Sequence, residues 1–123
     1  KLNDEAFLGN KINTNKLLAQ TGMDNEKNIF YLNIINQRLE KLLQINNLNK
    51  STIEDAINSL KPPVFWKDKP NLTNQAKKWN KFKVQKMINL TFKLEKKIKS
   101  NNLIEKNILI KKLLVDICSL ANA

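Results

Sequence analysis

Histidine is absent from this sequence of 123 residues, and Cys118 is the single cysteine. Without histidine there is no Cys/His zinc site, no histidine general base and no catalytic triad of the usual kind. A lone cysteine also excludes a framework of internal disulfides, and we expect Cys118 to be a buried apolar side chain. We therefore predict a non-enzymatic chain with no catalytic residues, no metal, no cofactor and no small-molecule substrate.

Glycine and proline are scarce, with two and three residues respectively. Turn-dense β-sandwiches, collagen and Gly/Ser linkers need many such residues, because only these supply their backbone geometries at low cost. The sequence instead shows apolar residues at three- and four-residue spacing and no β alternation. These patterns predict an all-α protein, a bundle of five to seven helices.

Long apolar runs are also missing. No segment approaches the roughly 18 consecutive apolar residues of a membrane span, and the first residues lack the apolar stretch of a signal peptide. We therefore expect a cytoplasmic protein with no membrane partner. Because the chain opens without methionine and directly in a helical pattern, we also expect a missing N-terminal part.

Positive charge is abundant and unevenly distributed. The net charge is +11, and 21 of the 22 basic residues are lysines. Residues 1–60 carry seven basic and seven acidic side chains, whereas residues 61–99 carry twelve lysines against Asp68 and Glu95. AT-rich codons favour lysine but spread it evenly, while a binding face gathers lysines in one place. Both a working surface and a solvated face remain open for residues 61–99.

Apolar periodicity and capping residues predict where the helices lie. A loose pattern over residues 4–20 is interrupted at Gly9-Asn10, and a long helix capped by Asp24 or Asn25 runs to Asn47. Four further helices are predicted. The first is short, starts at a capping box of Ser51 and Glu54 and ends at Leu60, and the second runs from Asn71 or Thr73 to Trp79. The third covers residues 81–99 and is capped by Asn80, and the fourth covers residues 103–120. Pro62-Pro63 ends a helix, residues 64–70 are expected to form a loop, and residues 100–102 a turn.

The predicted helix over residues 81–99 is amphipathic. At about 100° per residue, four lysines fall within an arc of roughly 80°, opposite the apolar side. These are Lys83, Lys86, Lys93 and Lys97. The ridge lacks arginine and interleaved aromatic residues, so the expected contact is a nonspecific one with phosphates, or with an acidic partner, and not base-specific recognition. A ridge that only keeps a bundle soluble is the alternative.

Glu95 falls within the apolar arc of the same helix, where an unpaired carboxylate is costly. We expect a structural ion pair with Lys99, four residues on. The last helix is apolar over most of its circumference, which indicates either a central helix or one shared with another chain. We favour sharing, and the candidate partner-interface residues are Ile110, Leu113, Leu114 and Ile117.

The order of several motifs resembles the C-terminal domain of the δ (delta) subunit of bacterial DNA polymerase III. The motifs are Gln37-Arg38 within a leucine-rich helix, Pro62-Pro63-x-Phe65, Gln75-Ala76-Lys77-Lys78-Trp79, and Glu95-x-x-x-Lys99 before a leucine-rich last helix. Phe7-Leu8-Gly9-Asn10 is similar to the stretch that leads into that domain. The likeness covers about residues 5–120, and it rests on order and spacing, since each motif alone is loose.

The resemblance implies a helical collar piece of the clamp loader, the ATPase assembly that places the sliding clamp on primed DNA in replication. Its implied partners are the motor subunits and δ′, with DNA nearby, and the chain would be a non-catalytic subunit of the polymerase holoenzyme. Residues 1–22 would be a helical lead-in and residues 23–123 the oligomerisation domain. No binding role is carried over to Gln37, Arg38 or Trp79. The alternative is a stand-alone basic helical module that binds nucleic acid through its lysine ridge.

Overall fold

The structure, a computed structural model, describes residues 2–21, 25–48, 52–100 and 106–123. Over these residues it is all-α, with seven helices and no strand, as the sequence predicts. In chain order the helices are α1 (Leu2–Phe7), α2 (Lys11–Gln20), α3 (Asn25–Asn47), α4 (Ile53–Asn58), α5 (Lys69–Ala76), α6 (Lys81–Ser100) and α7 (Lys106–Ala121).

Helix α7 is the centre of the bundle, because it packs against α1, α2, α3 and α6. A helix that is apolar over most of its surface is stable in water only when other elements cover it. The surrounding helices contribute Phe7, Ile35, Leu39 and Met87, each at most 1% exposed, to one continuous core.

The break between α1 and α2 occurs where the sequence predicts it. Gly9 has a φ of +75°, a conformation that residues with a Cβ rarely adopt. The Asn10 side chain then caps α2 by accepting a hydrogen bond of 3.2 Å from the Asn13 amide. Asn122 Nδ2 donates to the Gly9 carbonyl at 2.8 Å, so the C-terminal end fastens this turn. Both helices are part of the common core. The division into a lead-in of residues 1–22 and an oligomerisation domain of residues 23–123 stays a prediction.

The boundaries of α4 and α5 differ from the predicted ones. Thr52 caps α4, with its hydroxyl accepting a 3.0 Å hydrogen bond from the Asp55 amide, while Ser51 of the predicted capping box lies outside the described residues. Helix α5 begins at Lys69, before the predicted caps, because Pro70 fits the first turn, where its missing amide has no partner to lose. The helix also ends at Ala76, short of Trp79.

Helices α3 and α6 match the prediction closely. Asn80 caps α6, as expected, through a 2.8 Å hydrogen bond from the Lys83 amide. The buried side of α6 carries Val84, Met87 and Thr91, at most 1% exposed, at the spacing that keeps one helix face toward the core. The Asp24 cap, the turn residues after Ser100 and the predicted start at Leu103 lie outside the described residues.

The central position of α7 predicts a sharp contrast between two neighbouring residues. Leu114 is fully buried, whereas Val115 is 41% exposed. Leu114→Ala leaves a cavity and should lower the free energy of unfolding by about 2–5 kcal/mol, while the control Val115→Ala should lower it by about 0.5 kcal/mol or less. Urea unfolding followed by circular dichroism measures both. Equal losses would contradict the enclosed position of α7.

Candidate interaction surfaces

A polar cluster joins three helices around the single arginine. Arg38 Nη2 of α3 donates to both carboxylate oxygens of Asp68, at 2.8 and 3.0 Å, and lies 3.4 Å from Asp4 Oδ1 of α1. Gln75 Nε2 of α5 donates to Asp4 Oδ1 at 3.0 Å and to the Asp4 carbonyl at 3.3 Å. One terminal nitrogen of the guanidinium thus contacts both carboxylates, and hydrogen bonds to charged groups are stronger than neutral ones. The cluster therefore fixes α1 and α5 against α3.

This cluster is structural in character. The Arg38 side chain is 11% exposed and the two carboxylates about a quarter to a third. Asp68 precedes α5 but does not cap it with its side chain, since its oxygens are engaged by Arg38. Over the described residues, no group of three or more Asp, Glu or Cys side chains could hold a metal ion. Gln37, next to Arg38, is exposed.

Trp79 and Cys118 lie in the core. The Trp79 ring is 1% exposed, its Nε1 donates to the Phe7 carbonyl at 2.8 Å, and its ring centre lies 5.3 Å from that of Phe7. The hydrogen bond satisfies the one polar atom of the indole. Cys118 is 4% exposed, which confirms the prediction of a buried apolar side chain.

The partner of Glu95 is not the predicted one. Glu95 is half-buried against α3, where its Oε1 accepts a 2.7 Å hydrogen bond from Asn36 Nδ2. Lys99 is exposed, and the ion pairs among the described residues do not include it. An amide from the facing helix satisfies the carboxylate inside the α3–α6 contact, while a lysine ammonium keeps its hydration by staying in solvent.

The four predicted partner-interface residues belong to the chain's own core. Ile110, Leu113, Leu114 and Ile117 are 0–3% exposed, because four helices surround α7. The exposed side of α7 is instead a narrow stripe at a spacing of four, three and four residues, which we call the α7 stripe. It consists of Ile108, Lys112, Val115 and Ser119. Ile108 and Val115 are 57% and 41% exposed, so they are the residues of α7 that a partner can cover.

The lysine ridge of α6 loses one of its four members. Lys83 is half-buried, and its Nζ donates to the carbonyls of Ala123 at 2.7 Å, Lys78 at 3.2 Å and Ala121 at 3.4 Å. A cation at the C-terminal end of a helix is favoured there, because the last carbonyls have no partners within the helix. Lys86, Lys93 and Lys97 are exposed. Lys83 is therefore a structural residue, and the other three form the ridge.

Two aromatic residues that the sequence analysis overlooked share the exposed half of α6 with these lysines. Phe82 is 73% and Phe92 57% exposed, and Lys96 Nζ lies 4.6 Å from the centre of the Phe92 ring. At helical spacing Phe82 lies about 20° and Phe92 about 100° outside the lysine arc, so both lie beside the ridge on the solvent side of the helix. Phe65 and Trp66, in the loop before α5, are also exposed.

No family model, no curated protein and no solved structure matches this chain. None of the described helices has the length and the apolar character that crossing a membrane requires.

The polar cluster predicts a measurable coupling between Arg38 and Asp68. Each single alanine variant should lower the free energy of unfolding by about 1–3 kcal/mol, because it strands a partly buried charged partner. The double variant should cost clearly less than the sum of the two, by denaturant titration. The exposed pair of Lys112 and Asp116 is the control and should show a coupling of about 0.5 kcal/mol or less. Additive losses for Arg38 and Asp68 would show that their contact contributes nothing.

Proposed function

We propose that this chain is a collar domain of the δ type, a non-catalytic assembly module of the bacterial DNA polymerase III clamp loader that packs with the motor subunits and δ′. The observation that carries the proposal is the place of the resembling residues in the fold. Arg38, Gln75 and Trp79 each make contacts to residues at least 30 positions away in the chain. Residues that make such long-range contacts determine how the helices are arranged.

The internal contacts of these motif residues support a fold shared with the δ collar domain. They do not support a shared binding or catalytic chemistry. Glu95, from a fourth resembling motif, also contacts a distant residue, Asn36. All these side chains contact other residues of the same chain. In an assembly function, partner subunits therefore have to contact other, exposed residues. The all-α architecture agrees with a collar piece, whose role is to pack against other helical domains.

The surface offers apolar side chains for such packing. Ten large apolar residues are at least 37% exposed among the described residues, and interfaces between proteins are built around apolar cores. On α7 these are Ile108 and Val115, while Lys112 within the stripe is paired with Asp116 at 3.1 Å. The α7 stripe therefore presents apolar side chains next to a locally neutralised pair, which a neighbouring subunit can cover.

The proposal predicts co-purification of this chain with the motor subunit and δ′ of the same cell, at low salt and at about 0.5 M salt. Apolar contacts persist at high salt, whereas exposed charge pairs are screened. Ile108→Asp with Val115→Asp should weaken the complex at least tenfold, because both carboxylates would lose water in the interface. Affinities measured by surface plasmon resonance give the ratio.

The matched control is Ile29→Asp on α3, at a side chain that is 61% exposed. It should leave the affinity unchanged, and circular dichroism should show that all variants keep their helices. Absence of a complex at both salt concentrations would overturn the proposed function. A complex that the control weakens and the α7 variant does not would exclude the α7 stripe as the contact.

A further inference from the structure

Helix α6 carries a concentration of positive charge, and Lys86, Lys93 and Lys97 lie on its solvent side. Seven lysines and one carboxylate lie within Lys81–Ser100, and that carboxylate, Glu95, faces α3 and is bonded to Asn36. Across the groove between α6 and α7, Asp116 lies near Lys93 and Lys97, but it is paired with Lys112 at 3.1 Å. The solvent side of α6 thus attracts anions without a competing acid of its own.

The aromatic residues on the same side give the surface a second property. Phe82 and Phe92 are ten residues apart, about 15 Å along the helix axis, and Lys86 lies between them. Exposed phenyl rings cost free energy in water, and their flat faces stack on unpaired bases. We define the α6 face as Phe82, Lys86, Phe92, Lys93, Lys96 and Lys97.

We propose that the α6 face binds single-stranded nucleic acid, with phosphates at Lys86, Lys93 and Lys97 and unpaired bases stacked on Phe82 and Phe92. This combination of a basic track and stacking platforms is what binding without sequence preference requires. The face has no arginine, so it lacks the usual bidentate contact to guanine in the major groove of a duplex. The inference does not depend on the proposed assembly function.

Other anionic partners fit the face less well. A lipid surface binds the apolar side of an amphipathic helix, and the apolar side of α6 is buried in the bundle at Val84 and Met87. An acidic peptide would neutralise the lysines, but its Asp and Glu side chains carry no flat ring that stacks on two separated phenyl groups. Stacking is therefore the feature that distinguishes nucleic acid from an acidic protein segment.

The test is a fluorescence anisotropy titration of this chain with a labelled 20-nucleotide oligothymidylate and with a duplex of the same length, from about 50 to 300 mM salt. We expect the single strand to bind at least tenfold more tightly than the duplex. Three phosphate contacts predict a slope of log affinity against log salt of about −2. Equal affinity for the two nucleic acids, or no binding at 50 mM salt, would overturn the proposal.

Two sets of variants separate charge from stacking. Alanine at Lys86, Lys93 and Lys97 should weaken binding at least tenfold and bring the salt slope close to zero. Phe82→Ala with Phe92→Ala should weaken binding of the single strand about tenfold or more while the slope stays unchanged.

The controls remove the same number of side chains elsewhere. Lys11, Lys16 and Lys61 are exposed lysines, and Ile12 and Phe30 are 81% and 58% exposed apolar residues. Their alanine variants should bind as the unaltered chain does. A loss as large in the lysine controls would mean that net charge alone drives binding, and the α6 face would be excluded. Unchanged binding in the Phe82/Phe92 variant, with displacement by polyglutamate, would favour an acidic partner instead.

Discussion

The enclosure of α7 is the constraint on which the rest of the structure depends. A helix that is apolar nearly all round cannot be stable with one side covered, so the chain surrounds it with α1, α2, α3 and α6. This requirement explains why the N-terminal helices belong to the core. It also explains the contacts at the C-terminal end, where Asn122 bonds to Gly9 and Lys83 bonds to the carbonyls of Ala121 and Ala123. The polar groups at the end of the buried helix are satisfied by the elements that bury it.

The orientation of α5 depends on polar contacts as well as on apolar ones. Helix α5 is eight residues long and buries Leu72 and Gln75, too little apolar surface to hold it in one position. Arg38 and Gln75 fix the orientation of α5, because hydrogen bonds to Asp4 and Asp68 require defined distances and angles. The side chains of the resembling motifs therefore act on helix orientation, which a hydrophobic pattern alone leaves open.

The sequence predicted the fold class, the positions of α3 and α6, the turn at Gly9 and the burial of Cys118, because each follows from local periodicity or from one residue's chemistry. It did not predict which apolar residues of α7 face the core and which face solvent. That distinction depends on how many helices surround α7, and this is a property of the whole bundle. The partners of Glu95 and Lys83 were unpredictable for the same reason: Asn36 and Ala123 lie 59 and 40 positions away.

The two surfaces left on the outside differ in kind, and the core explains why. The apolar side of α6 packs in the core, so Lys86, Lys93, Lys96 and Lys97 lie on its solvent side together with Phe82 and Phe92. On α7 nearly all apolar side chains pack in the core. Only Ile108 and Val115 remain exposed as large apolar side chains of this helix, beside the ion pair of Lys112 and Asp116. Asp116 of that pair lines the same groove as Lys93 and Lys97. One exposed ion pair thus separates a surface suited to apolar packing from one suited to anions, and salt should weaken contacts at the second far more than at the first.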